Sequence, residues 1–316
     1  MAGAMRRHGC RRLLGTHLKD LLYTKHCVLF DCDGVIWNDE KAVVGAPEVV
    51  SLLKKHGKSV FFVTNNCTRP RDSYLHKFSR LGFSEIVQSD VLSSAYCSAV
   101  YLRDVAKVQD KVYVIGCDGV YTELHEAGVP VVGKEPDVPG ATIYDCPLDS
   151  DVKAVLVGYD DKLNFLKLAK ACCYLQDPDC LFLATDRDPW HPRPRGRVSP
   201  GTGSLVAALE TAAGRKATVI GKPSRFMFEC IASQFGVDPA HTVMVGDRLE
   251  TDILFGWNCG VDTVLTLTGV STLEQAQGYR DSPAPEEAAC VPNYVVDTVA
   301  DFLPALNEER KENPAN

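Results

Sequence analysis

No stretch of this 316-residue chain approaches the roughly 20 consecutive apolar residues that a membrane-spanning helix needs. A helical membrane protein is therefore excluded. Positive charge is in deficit: 34 Lys and Arg stand against 41 Asp and Glu, a formal net charge of −7. Such a chain has no global basic field to collect nucleic acid, and an anionic ligand must be met by a few local groups. No Cys-x-x-Cys occurs, the 13 cysteines are odd in number and irregularly spaced, and no secretory leader precedes them. They read as reduced thiols serving as small core hydrophobes, not as a disulfide framework. Internal repeats and low-complexity tracts are absent too. With 45% hydrophobic and 24% charged residues, what remains is a globular protein with a sizeable core.

The N-terminus departs from the acidic balance. Residues 1–26 carry Arg6, Arg7, Arg11, Arg12, Lys19 and Lys25 against Asp20 alone. An Arg-rich, acid-poor start is one form of mitochondrial presequence. The preferred reading is a basic extension running into a short helix, because Leu13, Leu14, Leu18, Leu21 and Leu22 fall at helical spacing. The expected location is cytoplasmic.

Short apolar runs alternate with longer amphipathic ones. Strands are predicted at Cys27–Phe30, Val60–Val63, Val112–Ile115, Ala154–Val157, Leu181–Ala184, Thr218–Ile220, Thr242–Val245 and Thr263–Leu267. Helices are predicted at Pro47–His56, Ser93–Val105, Phe226–Phe235 and Asp252–Asn258. Strands that are apolar throughout and separated by helices imply parallel βαβ units with both sheet faces covered, so the fold class is α/β. Lys134–Pro139 and the Pro- and Arg-rich Asp186–Pro200 read as loops, Asp281–Cys290 as a linker-like loop and Asn307–Asn316 as a frayed end. Length suggests two domains. One inserted into the other fits best, because four chemical motifs flank the middle segment.

Each motif follows a predicted strand, where a parallel sheet opens onto its ligand crevice. In Phe30-Asp31-Cys32-Asp33-Gly34-Val35 two carboxylates can share that crevice if Gly34 lets the chain leave strand geometry. One carboxylate can then attack while the other handles a proton. Thr64-Asn65-Asn66 offers a hydroxyl and amides to phosphate oxygens. Ile220-Gly221-Lys222-Pro223-Ser224 opens a helix with Pro223 in its first turn, a favourable place for an anion, and Lys222 adds a full positive charge. Gly246-Asp247-Arg248-Leu249-Glu250-Thr251-Asp252 adds acidic oxygens of the hard kind that Mg²⁺ prefers. Taken singly, these also read as a solvated turn, a capping pair, a surface lysine and a helix N-cap.

In this order the four motifs resemble those of the haloacid dehalogenase superfamily of phosphatases, over residues 27 to about 270. The resemblance implies a Rossmann-like core with a parallel sheet and helices on both faces, interrupted by an α/β cap. The core would occupy 1–106 and 217–316 and the cap 107–216. It implies Asp31 as nucleophile and Asp33 as general acid and base. Thr64, Asn65, Asn66 and Lys222 would hold the phosphoryl group. Mg²⁺ would be held by Asp31, the Asp33 carbonyl and Asp247, with Asp252 in support. The second carboxylate, Asp33, favours phosphatase over dehalogenase chemistry. One departure is Cys67, where relatives of this branch carry Ser.

Within the superfamily, Val157-Gly158-Tyr159-Asp160 and Thr185-Asp186-Arg187-Asp188-Pro189-Trp190-His191-Pro192 resemble the pyridoxal 5′-phosphate phosphatase branch. Gly201-Thr202-Gly203-Ser204-Leu205 and Gly269-Val270-Ser271 are shared with the sister phosphoglycolate phosphatases. That resemblance implies Tyr159 and His191 on the two faces of a pyridine ring, with Trp190 as a packing anchor. It also implies a homodimer through the cap, with helix 204–213 as a candidate surface, although a buried core helix explains the same pattern. Relatives also act on phosphoserine of cytoskeletal proteins such as cofilin, which brings a cytoskeletal association with it. The rival reading is a phosphoglycolate or other small-ester phosphatase, and a non-catalytic phospholigand-binding protein is the alternative from another class. Cys32, between the two aspartates, is a candidate for an oxidation-sensitive thiol.

Overall fold

The computed structural model describes residues 9–134 and 142–308. Arg6, Arg7, most of the Lys134–Pro139 loop and the last eight residues of the expected frayed end lie outside the described residues. The chain forms two compact units, residues 1–64, 74–92 and 222–316 in the first, 65–73 and 93–221 in the second.

The first unit is built on a seven-stranded sheet. Its order is Arg11–Arg12, Tyr294–Val296, Asp262–Thr266, Thr242–Gly246, Cys27–Phe30, Ser59–Thr64 and Val91–Ser93. Every pairing from Arg11–Arg12 across to Ser59–Thr64 is parallel. The central strands have no polar face because helices cover both. Val28, Phe30, Val60, Phe62, Val243, Val245 and Val264 pack into one apolar core with Leu18, Leu22, Val49, Leu53 and Phe302. On the opposite face Leu265 and Val295 pack with Ile253 and Ala276. Successive strand residues point to opposite faces, so full apolarity is what double burial requires.

The second unit repeats the plan in a smaller parallel sheet of order Thr218–Val219, Leu181–Ala184, Val152–Val157, Lys111–Ile115 and Val131–Val132. Val112, Val114 and Leu156 face the helix Asp118–Glu126, through Val120 and Leu124. Tyr113, Ile115 and Val155 face Phe165–Tyr174 and Thr202–Ala213, through Ala171, Leu205 and Leu209.

Several expectations are corrected. The stretch 186–200 is not all loop: Trp190–Arg193 and Arg197–Pro200 form an antiparallel hairpin. Its turn is closed by Arg195 and Gly196 at φ 65° and 68°. Proline conceals a strand from sequence pattern, yet a two-stranded hairpin tolerates it at edge positions. The basic N-terminus contributes a strand, Arg11–Arg12, before the helix Gly15–Thr24. Leu13, Leu18, Leu21 and Leu22 are buried, whereas Leu14 is 61% exposed. Short strands at Val91–Ser93 and Tyr294–Val296 escaped the pattern, and Pro285–Ala288 forms a helical turn inside the expected linker. The predicted helix Ser93–Val105 is α-helical over Ser94–Val100, capped by Ser93, and continues as a wider π turn over Tyr101–Val105. Asp252 likewise falls in a π turn, Leu249–Ile253, that precedes the α-helix Leu254–Cys259. Among the described residues no helix is long and apolar enough to cross a membrane.

Candidate active site

The buried strand Cys27–Phe30 delivers Asp31 to the carboxyl edge of the first unit's sheet, where the Asp31 N–H still pairs with Val245 O at 2.9 Å. The chain then turns sharply. Ile36 and Trp37 both donate their N–H to Cys32 O, at 3.0 and 3.2 Å, and Gly34 N–H donates to Trp37 O at 2.8 Å. Gly34 takes φ 88°, and a Cβ there would overlap Asp247 Oδ2, so both conformation and space demand glycine.

Lys222 occupies the centre at 2% exposure. Its ammonium donates to Asp31 Oδ1 at 2.6 Å, Asp252 Oδ1 at 2.7 Å and the Val63 carbonyl at 2.7 Å. Three protons meet three acceptors, the geometry a buried ammonium needs. Burial by itself would lower the Lys222 pKa, yet Asp252 and Asp31 together hold it above the ordinary lysine range. Pro223 is not in the first turn of a helix. The helix begins at Phe226, and the intervening turn is held by Asn258 Nδ2 donating to Pro223 O at 2.8 Å.

Asp252 Oδ2 accepts the N–H groups of Asp247 and Arg248, at 3.1 and 3.0 Å. It braces the loop that carries Asp247 and does not cap the following helix. Asp247 Oδ2 accepts the Val270 N–H at 2.7 Å, and Asp247 O accepts that of Ser271 at 2.9 Å. A Cβ on Gly269 would overlap the Asp247 carboxylate. The Gly269-Val270-Ser271 segment is therefore the backstop of Asp247. Sequence reading singled that segment out without seeing its task.

Oxygens of Asp31, Asp247 and Asp252 lie within 4.8 Å of one another. Three buried carboxylates against one ammonium leave an excess of two negative charges. Burial, then the charges of Asp252 and Asp247, push the Asp31 carboxyl well above its usual range in spite of Lys222. Burial and Asp252 push Asp247 up to about 7. A divalent cation fits this donor set, because it would cancel the excess and its oxygens are of the hard kind. Asp252 has both oxygens engaged by Lys222 and backbone N–H groups, which leaves Asp31 Oδ2 and Asp247 Oδ1 as the side-chain atoms suited to it.

Asp33 reaches outward, its side chain 47% exposed. Trp37 Nε1 donates to its Oδ1 at 2.9 Å, and Lys77 Nζ lies 4.0 Å from the same oxygen. Lys77 also sits over the Trp37 ring at 4.2 Å. Sequence reading missed both neighbours. Trp37 lies within the Asp-x-Asp-Gly-Val-Ile-Trp run and could have been noticed, whereas Lys77 carries no local signal. Thr64 ends its strand at 2% exposure. Cys32 is fully buried, and burial followed by the Asp31 charge pushes its thiol well above the usual range. That is the reverse of an oxidation-sensitive cysteine.

In the second unit, Asn65 is buried and its Oδ1 lies against Gly221, while Ser94 Oγ donates to its backbone carbonyl at 2.7 Å. Asn66 Oδ1 accepts both the N–H and the hydroxyl of Thr68, at 3.1 and 2.7 Å. Tyr159 and His191 meet edge to face, ring centroids 5.4 Å apart and planes 74° apart. Trp190 is 40% exposed. All thirteen cysteines are free thiols.

Comparison with known proteins places this geometry. Residues 28–130 match the family described as haloacid dehalogenase-like hydrolase, and residues 219–302 match a HAD-hydrolase-like family. Chronophin of Bos taurus is 50% identical over 95% of this chain and 99% of its own length. Glycerol-3-phosphate phosphatase of Gallus gallus is 47% identical over 95% of this chain and 97% of its own. The crystal structure of glycerol phosphate phosphatase from Mycobacterium tuberculosis, in complex with magnesium, superposes with a TM-score of 0.73. It is 26% identical and the match covers 89% of this chain and 77% of that one. With half of all residues shared along nearly the whole length, and the Asp31 loop, Lys222 and the Asp247–Asp252 loop gathered at one sheet edge, the chain belongs to the haloacid dehalogenase-like hydrolases.

Proposed function

We propose that this phosphatase hydrolyses pyridoxal 5′-phosphate, acting in the cytoplasm, with the second unit as its specificity-giving cap. Asp31, its carboxylate oriented by the Lys222 ammonium at Oδ1, attacks phosphorus and becomes an aspartyl phosphate. Asp33 gives its proton to the departing alkoxide and later takes one from the hydrolytic water. Its exposure and the hydrogen bond from Trp37 suit a group that must reach a leaving oxygen from a fixed position. Thr64, Asn65 and Asn66 supply polar contacts to the phosphoryl oxygens. Lys222 already has three acceptors, so its contribution is the orientation of Asp31 and a positive charge. Mg²⁺ would be held by Asp31, Asp247 and the Asp33 carbonyl, with Asp252 behind them. When bound, it neutralises charge on the transferring group.

The observation that carries the choice of substrate is the contact between Tyr159 and His191. At 5.4 Å and 74° the two rings touch edge to face with no slot between them, so a flat ring would stack on one of these half-buried side chains, a pair contributing roughly 0.5–1.5 kcal/mol. An acyclic ester would gain nothing from them. The same reading includes a homodimer through the helix Thr202–Ala213. Its Leu205, Val206 and Leu209 are buried, while the small Ala207, Ala208, Thr211 and Ala212 are exposed.

The test is a comparison of purified protein on pyridoxal 5′-phosphate, phosphoglycolate, glycerol 3-phosphate and a phosphoserine peptide of cofilin, all with Mg²⁺. The highest kcat/KM is expected for pyridoxal 5′-phosphate. A clear preference for either acyclic ester would overturn the substrate assignment and leave the phosphatase standing.

A further inference from the structure

The second unit contains a buried polar chain that takes no part in the proposed reaction steps. Cys67, which follows Thr64-Asn65-Asn66, is 1% exposed. Its Sγ accepts the backbone N–H of Tyr159 at 3.3 Å and lies 3.6 Å from Thr185 Oγ1. Thr185 Oγ1 is in turn 2.8 Å from Asp186 Oδ2, and Asp186 Oδ1 accepts the Asp188 N–H at 3.0 Å. Asp188 stands two residues before the hairpin strand that carries His191. One sulfur is thus joined on one side to the backbone of Tyr159 and on the other to the root of the His191 hairpin.

The sulfur also fills space. Gly158 is closely fitted: a Cβ there would lie 3.2 Å from Cys67 Sγ, 3.1 Å from Val120 Cγ2 and 3.3 Å from Thr185 Cγ2, so these neighbours would have to give way. Burial pushes the Cys67 thiol up to about 12, so it stays neutral and unreactive. A neutral thiol suits a hydrogen-bonding filler, because burying it costs far less than burying a thiolate.

We infer that Cys67 is a positioning residue for substrate specificity, its thiol setting the spacing between Tyr159 and the His191 hairpin and so the fit of a flat ring. This rests on the proposal that these two rings receive the ring of the substrate. A serine in its place has a shorter bond from Cβ. It would draw the acceptor back from the Tyr159 N–H and leave a gap beside Gly158. The residue that departs from the usual pattern of the branch is therefore the one that tunes its aromatic pair.

The test uses Cys67→Ser and Cys67→Ala in the full chain with Mg²⁺. It measures kinetics on pyridoxal 5′-phosphate and glycerol 3-phosphate, together with hydrogen exchange at the Tyr159 amide. Loss of one hydrogen bond and its packing in Cys67→Ala should raise KM for pyridoxal 5′-phosphate roughly three- to tenfold, with kcat held within about twofold. Constants for glycerol 3-phosphate should be unchanged, Cys67→Ser should fall between, and the Tyr159 amide should exchange faster in both variants. Equal losses on the two esters, or unchanged KM and unchanged exchange, would overturn the inference. If the parent protein prefers glycerol 3-phosphate, the substrate reading fails. Exchange at Tyr159 then still decides whether the sulfur holds that residue. Should the alanine variant not fold, the serine variant gives the same readouts.

Discussion

Trp37 Nε1 donates to Asp33 Oδ1 at 2.9 Å, so the proposed acid–base carboxylate is held by an indole that is itself fully buried. Trp37 packs on Tyr74, Phe78 and Phe83, with ring centroids 6.3, 4.9 and 6.3 Å away. A rigid apolar cluster of the first unit therefore fixes the position of the carboxylate to which the proton transfers are assigned in our proposal. The indole N–H finds in Asp33 the partner that a buried tryptophan requires.

Replacing Trp37 by Phe keeps much of the packing and removes the N–H. A hydrogen bond to a charged group contributes about 1.5–3 kcal/mol, so kcat should fall on the order of tenfold or more. Steady-state kinetics beside a thermal melt separate this from the smaller loss of stability. A kcat equal to the parent's would mean that the indole does not position Asp33.

Lys222→Met removes the ammonium that bonds Asp31, Asp252 and the Val63 carbonyl and leaves two buried carboxylates facing each other. Breaking a buried ion pair from one side costs about 3–5 kcal/mol. Urea unfolding should show a loss of that size, together with loss of turnover. A change under about 1 kcal/mol, the range of exposed pairs, would show that Lys222 does not hold the two carboxylates together.

Chelation should abolish phosphate release, and Mg²⁺ should restore it. A cation that binds only the folded state at a hundredfold excess over its Kd stabilises by about 2.7 kcal/mol, or roughly 5 °C in Tm. The melt of Asp247→Asn should not respond to Mg²⁺. A parent protein whose melting temperature and activity ignore Mg²⁺ would remove the cation from the reading.

Asp186 is buried, and burial followed by the Asp188 charge raises its pKa from 3.8 to about 7. The unfolded chain loses this proton near its ordinary value, the folded chain only near neutrality. Between about pH 4 and 7 the folded state therefore binds more protons, and stability falls as pH rises through that window. In Asp186→Asn the slope of the urea midpoint across pH 5 to 7, roughly the middle of the window, should flatten. An unaltered slope would place the carboxyl in its usual range.

The alternation of apolar strands and helices was legible without coordinates because a doubly covered parallel sheet leaves no polar face. Leu181–Ala184 and Phe226–Phe235 occupy the residues the pattern predicts. The four chemical motifs were legible because each sits where a strand ends. Strands of two or three residues, such as Arg11–Arg12 and Tyr294–Val296, carry too little pattern to be read. Their place in the sheet depends on neighbours far along the chain. The hairpin Trp190–Pro200 was hidden by its prolines.

Sequence by itself singled out Asp31, Asp33, Lys222, Asp247 and Asp252, because they stand in local contexts that few other functions require. Tertiary structure alone decided what holds each of them. Lys222 reaches Val63 O across 159 positions, and Val270 N–H reaches Asp247 across 23. Trp37 and Lys77 converge on Asp33 from a short strand and a helix. Cys67 meets Tyr159 across 92 positions. Such partners are backbone groups or residue types common everywhere in the chain. Only the distances of the folded state distinguish them, because a hydrogen bond depends on position in space and not on separation in sequence.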